Sequence, residues 1–524
     1  ESNNSYERLH ENKTYDWLLD GAPYRLTDHI QVWYDQNSGY TAILKIYPQV
    51  QMVFEAGKFL YIGSTSDPND WGALQADSVT FTALDTSSGW SSIKINSFSR
   101  DDETYLDHCI IEYADDGVIC QSSNPTITNT VFRYNEDGID ADPGSAPILV
   151  DNTFTSNQYP VKIYGDQIDG NLYGNTYYGN AIDTLSSSDY IFVYGDESNN
   201  SYERLHENKT YDWLLDGAPY RLTDHIQVWY NNHSERTATL KLYPQVQMVF
   251  EAGKYLSIGT SSDGDDFGAL QADSVTFTAL DTSLGWSSIK IFNFSRDDET
   301  YLDHCIIEYA DDGIYCQSSN PTITNTVFRY NTDGIEADDA SRPTVTDNSF
   351  TENTRPVSVF AQRIDSTLYG NTYTDNVKDY IEVQSDFIED NGVFIWAKDN
   401  APYVVNGHVY VQRDNNNSQL STLRIEDGTI VQFNDGAWLY IGHESNDSYR
   451  GALQADGVTF TRSDATDTWL GIRIRNFSDD ATTYLDNCTI EYAGDGIYCE
   501  SSNPTITNTV FRYNTDGIEA DDAS

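Results

Sequence analysis

The sequence predicts an all-β fold: a solenoid of short parallel strands, a parallel β-helix, built in tandem units. Three observations predict it. A long repeat returns almost unchanged, a period of 21–23 residues is nested inside it, and apolar positions alternate between Asn, Asp and Gly corners.

The long repeat is read first. Residues 1–34 recur without change at 197–230, an offset of 196, and 99–117 recur at 295–313. A more divergent copy follows at an offset of 183, so that DGAPY at 216–220 becomes DNAPY at 399–403. The units are therefore 1–196, 197–386 and 387–524. The divergent 380–400 junction and the ESNNSYERLHENK insert predict breaks, hence separate coils in series.

The short period gives the rungs. His108, Asn129, Asn152 and Asn175 stand 21, 23 and 23 apart; His304, Asn325, Asn348 and Asn371 repeat these spacings, and Asn487 and Asn508 continue them. Asn tolerates left-handed backbone and its amide can bond the Asn one rung above, so the series reads as an Asn ladder. Gly corners follow at Gly117 and Gly138. In the third copy Leu423 and Ile425, Val431 and Phe433, then Leu439 and Ile441 alternate between Asp-Gly turns, as strands of a coil must. The segments 5–19 and 201–215 are the exception: Ser5, Glu7, Tyr6, Leu9 and Trp17 fit a short amphipathic helix capping each unit.

Composition narrows function. With 82 Asp+Glu against 30 Lys+Arg the formal charge is -52, a field that repels nucleic acid and anionic membranes and suits cations or basic partners. The 10 Trp, 38 Tyr and 21 Phe argue for a packed chain rather than an acidic disordered one. No run of about 18 apolar residues predicts a membrane span. The chain opens without a charged-then-apolar leader and stops in mid-pattern at Ser524, which reads as a segment of a longer mature protein.

The runs APYVVNGHVYV at 401–411, TLRIEDGTIVQFNDGAWLYIG at 422–442 and GALQADGVTFT at 451–461 resemble the opening of extracellular right-handed β-helix proteins of bacterial and archaeal surfaces. WLGIRI at 469–474, LDNCTIEYAGDGIYCESSNPTITNTVF at 485–511 and NTDGIEADD at 514–522 resemble their middle rungs. The resemblance implies a right-handed coil and an extracellular setting. It leaves function open, because that fold serves pectin lyases, polygalacturonases, tailspikes, adhesins and surface layers.

Candidate chemistry was sought on that scaffold. Asn331-Thr332-Asp333-Gly334 and Asn514-Thr515-Asp516-Gly517 are similar to the NTD motif of polygalacturonases. The later Asp pair, Gly-His-Gly and Arg-Ile-Lys motifs are missing, and Glu136 replaces Thr332 in the first copy, so the tetrapeptide reads as a rung corner. A pectate-lyase site needs calcium-binding acids below a base, whereas Arg133, Arg329 and Arg512 recur with the corner. Asn487 stands where the other copies have His, so His108 and His304 read as ladder occupants, not metal ligands. Cys109 and Cys120, Cys305 and Cys316, and Cys488 and Cys499 face the core, either as disulfides or as buried thiols. Asp116 and Asp137, Asp312 and Asp333, and Asp495 and Asp516 stack at one corner of successive rungs, where they either cap turns or hold structural Ca2+. Asp67–Asp70 and Asp263–Asp266 are further cation candidates. Trp90, Trp286 and Trp469 occupy one repeated place and read as core.

The expectation is a non-enzymatic structural and adhesive surface protein that self-associates into a filament, stalk or sheath. A carbohydrate-binding or polysaccharide-degrading protein and a calcium-dependent adhesion module are the alternatives.

Overall fold

The computed structural model describes residues 6–34, 40–181, 187–195, 202–230, 236–262, 266–413 and 420–524. These fall into two compact units: one holds residues up to 256 together with 274–281, the other 257–273 and 282–524.

Each unit is a coil with three faces, and every sheet within it is parallel. In the first unit the first face stacks Tyr6–Leu9, His29–Val32, Phe59–Ile62, Ser92–Ile95, Asp116–Cys120, Asp137–Ala141, Tyr159–Tyr164 and Ile191–Tyr194. The second face runs from Thr14–Trp17 to Leu172–Tyr173, and the third from Tyr24–Leu26 to Thr176–Tyr178. In the second unit the first face includes Trp286–Ile291, Ala310–Cys316, Asp333–Ala337 and Arg355–Phe360. Alternation explains the core: Leu106, Ile127, Leu149 and Leu172 lie in register on four rungs, and all are at most 1% exposed. Aromatic columns add to it, with Phe132, Phe154 and Tyr177 stacked at 5.0 and 5.1 Å between centroids. Among the described residues there is no α-helix, and none long and apolar enough to cross a membrane.

Two expectations change. The capping helix is absent: Tyr6–Leu9 pairs with His29–Val32, and Thr14–Trp17 with Ile43–Ile46, as the first rung of the coil. Tyr15 and Trp17 obey period 2, and the second copy shows why, since Leu205, Tyr211 and Trp213 are fully buried. A bend at 11–13 separates the two strands, and Ser5 lies outside the described residues.

The predicted breaks are absent as well. Ile191–Val193 pairs with Tyr220–Leu222 across the 196/197 boundary, and the strand Ile381–Ile388, which contains the 386/387 boundary, pairs with Tyr403–Val411. At both places the ladder is kept by a phase step. Tyr220–Leu222 repeats a third-face strand of the first copy yet docks on the last first-face strand. The inserted strands Tyr202–Leu205 and Thr210–Trp213 make room for that step by opening new ladders with His225–Val228 and Thr239–Leu242.

The Asn ladder exists, with Asn152, Asn175, Asn348 and Asn371 in it as expected, but the His108, Asn129, His304 and Asn325 positions lie one residue before it. His108, Asn129 and Asp151 have φ of 51, 50 and 54° and stay at the surface, where the short polar residues tolerate the left-handed turn. The inward ladder is the next residue: Cys109, Thr130, Asn152 and Asn175. The N–H of Cys109 donates to Thr130 Oγ1, that of Thr130 to Asn152 Oδ1, and that of Asn152 to Asn175 Oδ1. A second ladder, Asn135, Asn157 and Asn180, runs at the corner between third and first faces. Each amide accepts from a buried backbone N–H and donates to a carbonyl, so corners that no strand satisfies are satisfied by side chains.

Candidate functional site

The outer surface of the first face concentrates the chemistry, because its strands place side chains from every rung in vertical columns. One column carries the predicted acids. Asp116 pairs in register with Asp137, Asp312 with Asp333, and Asp495 with Asp516. The neighbouring column adds Asp140, Glu336 and Glu519, so that three carboxylates per copy have oxygens within 4.8 Å of one another. Sequence reading missed these three, although each stands three residues after the predicted corner Asp.

The carboxylates draw their counter-charge from the chain itself. Lys162 Nζ sits 2.5 Å from Asp137 Oδ2. In the second copy Arg355 grips Asp333 through two bonds of 2.7 Å and reaches Glu336 at 3.3 Å and Glu382 at 3.4 Å. The cation changes column between copies, since Tyr159 and Lys162 become Arg355 and Ser358. A charge retained while its position moves indicates that the acids require it. Calcium, the alternative to turn capping at these corners, would share the site with Lys162 in the first copy and Arg355 in the second. In the NTD tetrapeptide Asn331 Oδ1 accepts the N–H of Ala310 as a ladder rung, and Asp333 is held by Arg355.

Burial, with Asp137 and Asp140 nearby, pushes the Asp116 carboxyl up to about 7. Asp140 and Asp312 rise to about 6, again chiefly through burial. A folded-state pKa above the unfolded value of about 3.9 means that the native protein binds more protons between the two. That stability is fully present below about pH 4 and is lost as pH rises through 6 to 7. The melting temperature is therefore expected to fall from pH 5 to pH 8. Asp116→Asn should flatten the fall, whereas Lys162→Met should steepen it and leave the pH 4 melt unchanged. Equal slopes in all three proteins would refute the coupling.

Aromatic and basic side chains fill the remaining positions of the face. Phe59 stacks on His29 at 5.1 Å and on Tyr61 at 5.3 Å between centroids, with Lys94 Nζ 4.4 Å above Phe59. His29 Nδ1 accepts the N–H of Phe59, as His408 Nδ1 accepts that of Trp438. The third copy carries the fullest set. Phe387, Tyr410, Tyr440, Arg473 and Tyr498 occupy one column on successive rungs. Phe387 and Tyr410 stack at 4.5 Å, Tyr410 and Tyr440 at 4.7 Å, and the Arg475 guanidinium lies 3.9 Å from the Tyr440 centroid.

The copies differ most on this face, although the second face also changes, at Ile43/Thr239, Ile46/Leu242 and Ile148–Val150 against Thr344–Thr346. Between 51–142 and 247–338, the second- and third-face strands change only at Trp71/Phe267. First-face strands change at Phe59/Tyr255, Tyr61/Ser257, Val118/Ile314, Ile119/Tyr315 and Asp140/Glu336, and the other differences fall in turns.

The remaining sequence candidates resolve as structure. All six cysteines are free and buried, the second of the two alternatives. Cys109 lies at the corner after the second face and its Sγ contacts the carbonyl of Asp107, while Cys120 ends a first-face strand. Burial pushes the Cys109 thiol up to about 12, which leaves it protonated and unreactive at neutral pH. Trp90 is fully buried and stacked on Phe54 at 4.1 Å, as Trp469 is on Phe433 at 4.4 Å. Asp67 holds its own turn by accepting from Asn69, and Asp263 and Asp265 lie outside the described residues.

A comparison with curated proteins gives no match. The family described as right handed beta helix region matches residues 74–222 and 269–417, more than half of the chain. With that match and its stacked parallel sheets, the chain belongs to the right-handed β-helix family.

Proposed function

We propose that this β-helix protein is a non-catalytic adhesive protein of the cell surface whose first face binds polysaccharide. The observation that carries the reading is where the copies differ. The first face changes more than the other two between the copies, in the aromatic, basic and acidic side chains it displays, as a recognition surface does. Flat rings flanked by Arg and Lys suit sugar rings, which offer an apolar face ringed by hydroxyls. The column Phe387, Tyr410, Tyr440 spans three rungs, roughly 10 Å at about 4.8 Å per rung, a length matching two sugar residues of a chain lying along the coil. Recognition is favoured over end-to-end assembly because the variation lies on the side of the coil rather than at its ends.

The second reading, polysaccharide cleavage, is favoured by one observation: Asp116, poised near neutrality, stacks on Asp137, whose carboxylate bonds Lys162. One experiment separates the two. The intact chain is titrated with a panel of neutral and uronic polysaccharides, and the mixtures are assayed for new reducing or unsaturated ends. Binding without new ends is expected. Tyr440→Ala should weaken it about tenfold or more, the cost of truncating a central aromatic contact. New ends that disappear in Asp116→Asn would establish the enzyme instead. Binding unchanged in Tyr440→Ala and Phe387→Ala would remove the stripe from the account.

A further inference from the structure

The corner between the second and third faces carries a side-chain group that neither reading uses. Asp77 and Asp107 end successive second-face strands in register, and His108 follows Asp107. Asp273, Asp303 and His304 repeat the arrangement. In each copy one carboxylate oxygen from each Asp and one ring nitrogen lie within 4.8 Å of one another.

Imidazole and carboxylate are hydrogen-bonded to each other, at a separation that two ligands on one metal would also have. His108 Nδ1 stands 3.0 Å from Asp107 Oδ2, and His304 Nδ1 stands 2.9 Å from Asp303 Oδ2. Two ligands bonded at about 2.1 Å and at a right angle to one metal stand about 3.0 Å apart. The carboxylate is also oriented from behind. Asp107 Oδ1 accepts from Thr128 Oγ1 at 2.7 Å and from Asn129 Nδ2 at 2.9 Å, both on the next rung, which turns Oδ2 toward the imidazole. Thr324 and Asn325 hold Asp303 in the same way. Burial raises the Asp107 carboxyl, but these bonds outweigh it and hold the group below the usual range, ionised and ready to ligate. The His108 side chain is 60% exposed, so an ion can enter.

The third copy supplies the contrast. Asp456 and Asp486 keep the register, and Thr507 and Asn508 keep the hold on Asp486. Asn487 replaces the His, and its Nδ2 donates to Asp456 Oδ1 at 3.0 Å. There the amide N–H bonds Asp456 on the earlier rung, whereas in the first two copies the ring nitrogen bonds Asp107 or Asp303 beside it. We propose that Asp77, Asp107 and His108, and Asp273, Asp303 and His304, each bind one divalent first-row transition metal, with water completing the sphere, and that the third copy binds none. An imidazole with two carboxylates selects such ions, whereas calcium takes oxygen ligands alone. His108 and His304 are then surface ligands rather than occupants of the Asn ladder.

Calorimetric titration of the full chain with Ni2+, in millimolar Ca2+ to fill all-oxygen sites, tests this. Two equivalents are expected for the unaltered chain. His108→Asn and His304→Asn should each leave one, and the double variant none. Asn is the residue the third copy carries at this turn, so the fold is expected to persist, and a thermal melt of each variant checks it. Asn487→His should add a third equivalent. Absence of binding, two equivalents surviving in the double variant, or no gain in Asn487→His would each overturn the proposal.

Discussion

Asp216→Ala is expected to destabilise the coil at the first phase step by about 3–5 kcal/mol, the range for removing one partner of a buried charged group. Asp216 is fully buried and ends the inward ladder. It accepts from the Asn175 N–H at 3.0 Å, from Asn175 Nδ2 at 2.9 Å and from the Tyr177 hydroxyl at 2.8 Å. Truncation strands three buried donors, each costing about 1–3 kcal/mol if no water replaces the carboxylate. Asp216→Asn keeps one acceptor oxygen and should cost about half as much. Asp399 does the same work for Asn371 and Tyr373, so Asp399→Ala should match it. Asp20, in the same DGAPY context, is exposed, and Asp20→Ala should be nearly neutral. In a coil whose rungs contact only their neighbours the loss is local. Hydrogen exchange over 172–222 should therefore accelerate before global unfolding shifts. Equal effects of Asp20→Ala and Asp216→Ala would sink the account.

The same residue shows what was legible in the sequence and what was not. The nested periods and alternation dictate the coil, because a period-2 strand broken by a corner every 21–23 residues has few ways to bury its apolar side. Register at the corner was harder. His108 and Asn129 face out and Asn152 and Asn175 face in, yet all four sit beside the same corner, and Asn suits both a left-handed turn and an inward ladder. The second ladder had a signal of its own: Asn135, Asn157 and Asn180 are spaced 22 and 23 residues apart. Asp216 had none, since its role arises only when the second copy docks one face out of step on the first. Partners that reach across such a step, 41 residues in this case, leave no periodic trace. The acidic corners were visible because register alone stacks them. Their cations were not, because Lys162 and Arg355 stand in different columns of the two copies.

Gly138→Ala is expected to cost about 3 kcal/mol, the upper end for overpacking a fixed core, whereas Gly57→Asn should cost almost nothing. In the sequence both look like turn formers, but Gly138 stands inside the strand Asp137–Ala141 and only Gly57 in a turn. Gly138 does not need its conformational freedom; it needs the absence of a side chain. A Cβ there would meet the Pro160 carbonyl oxygen at 2.4 Å and the Phe154 ring at 3.0 Å, and neither can retreat without breaking the ladder or the aromatic column. Gly334 faces the same limits, at 2.4 Å from the Pro356 oxygen and 2.8 Å from the Phe350 ring. Gly57 is the reverse case: nothing lies within 4 Å of its Cβ position, but its φ is +68°, which Asn tolerates and Ala resists. Gly57→Ala should therefore cost about 1 kcal/mol. Because Gly138 lies between Asp137 and Asp140, its replacement should also loosen the grip of Lys162 and reduce the pH dependence of melting. A Gly138→Ala protein that melts like the parent would show that the rungs can separate locally, and the first face could then not serve as a rigid surface.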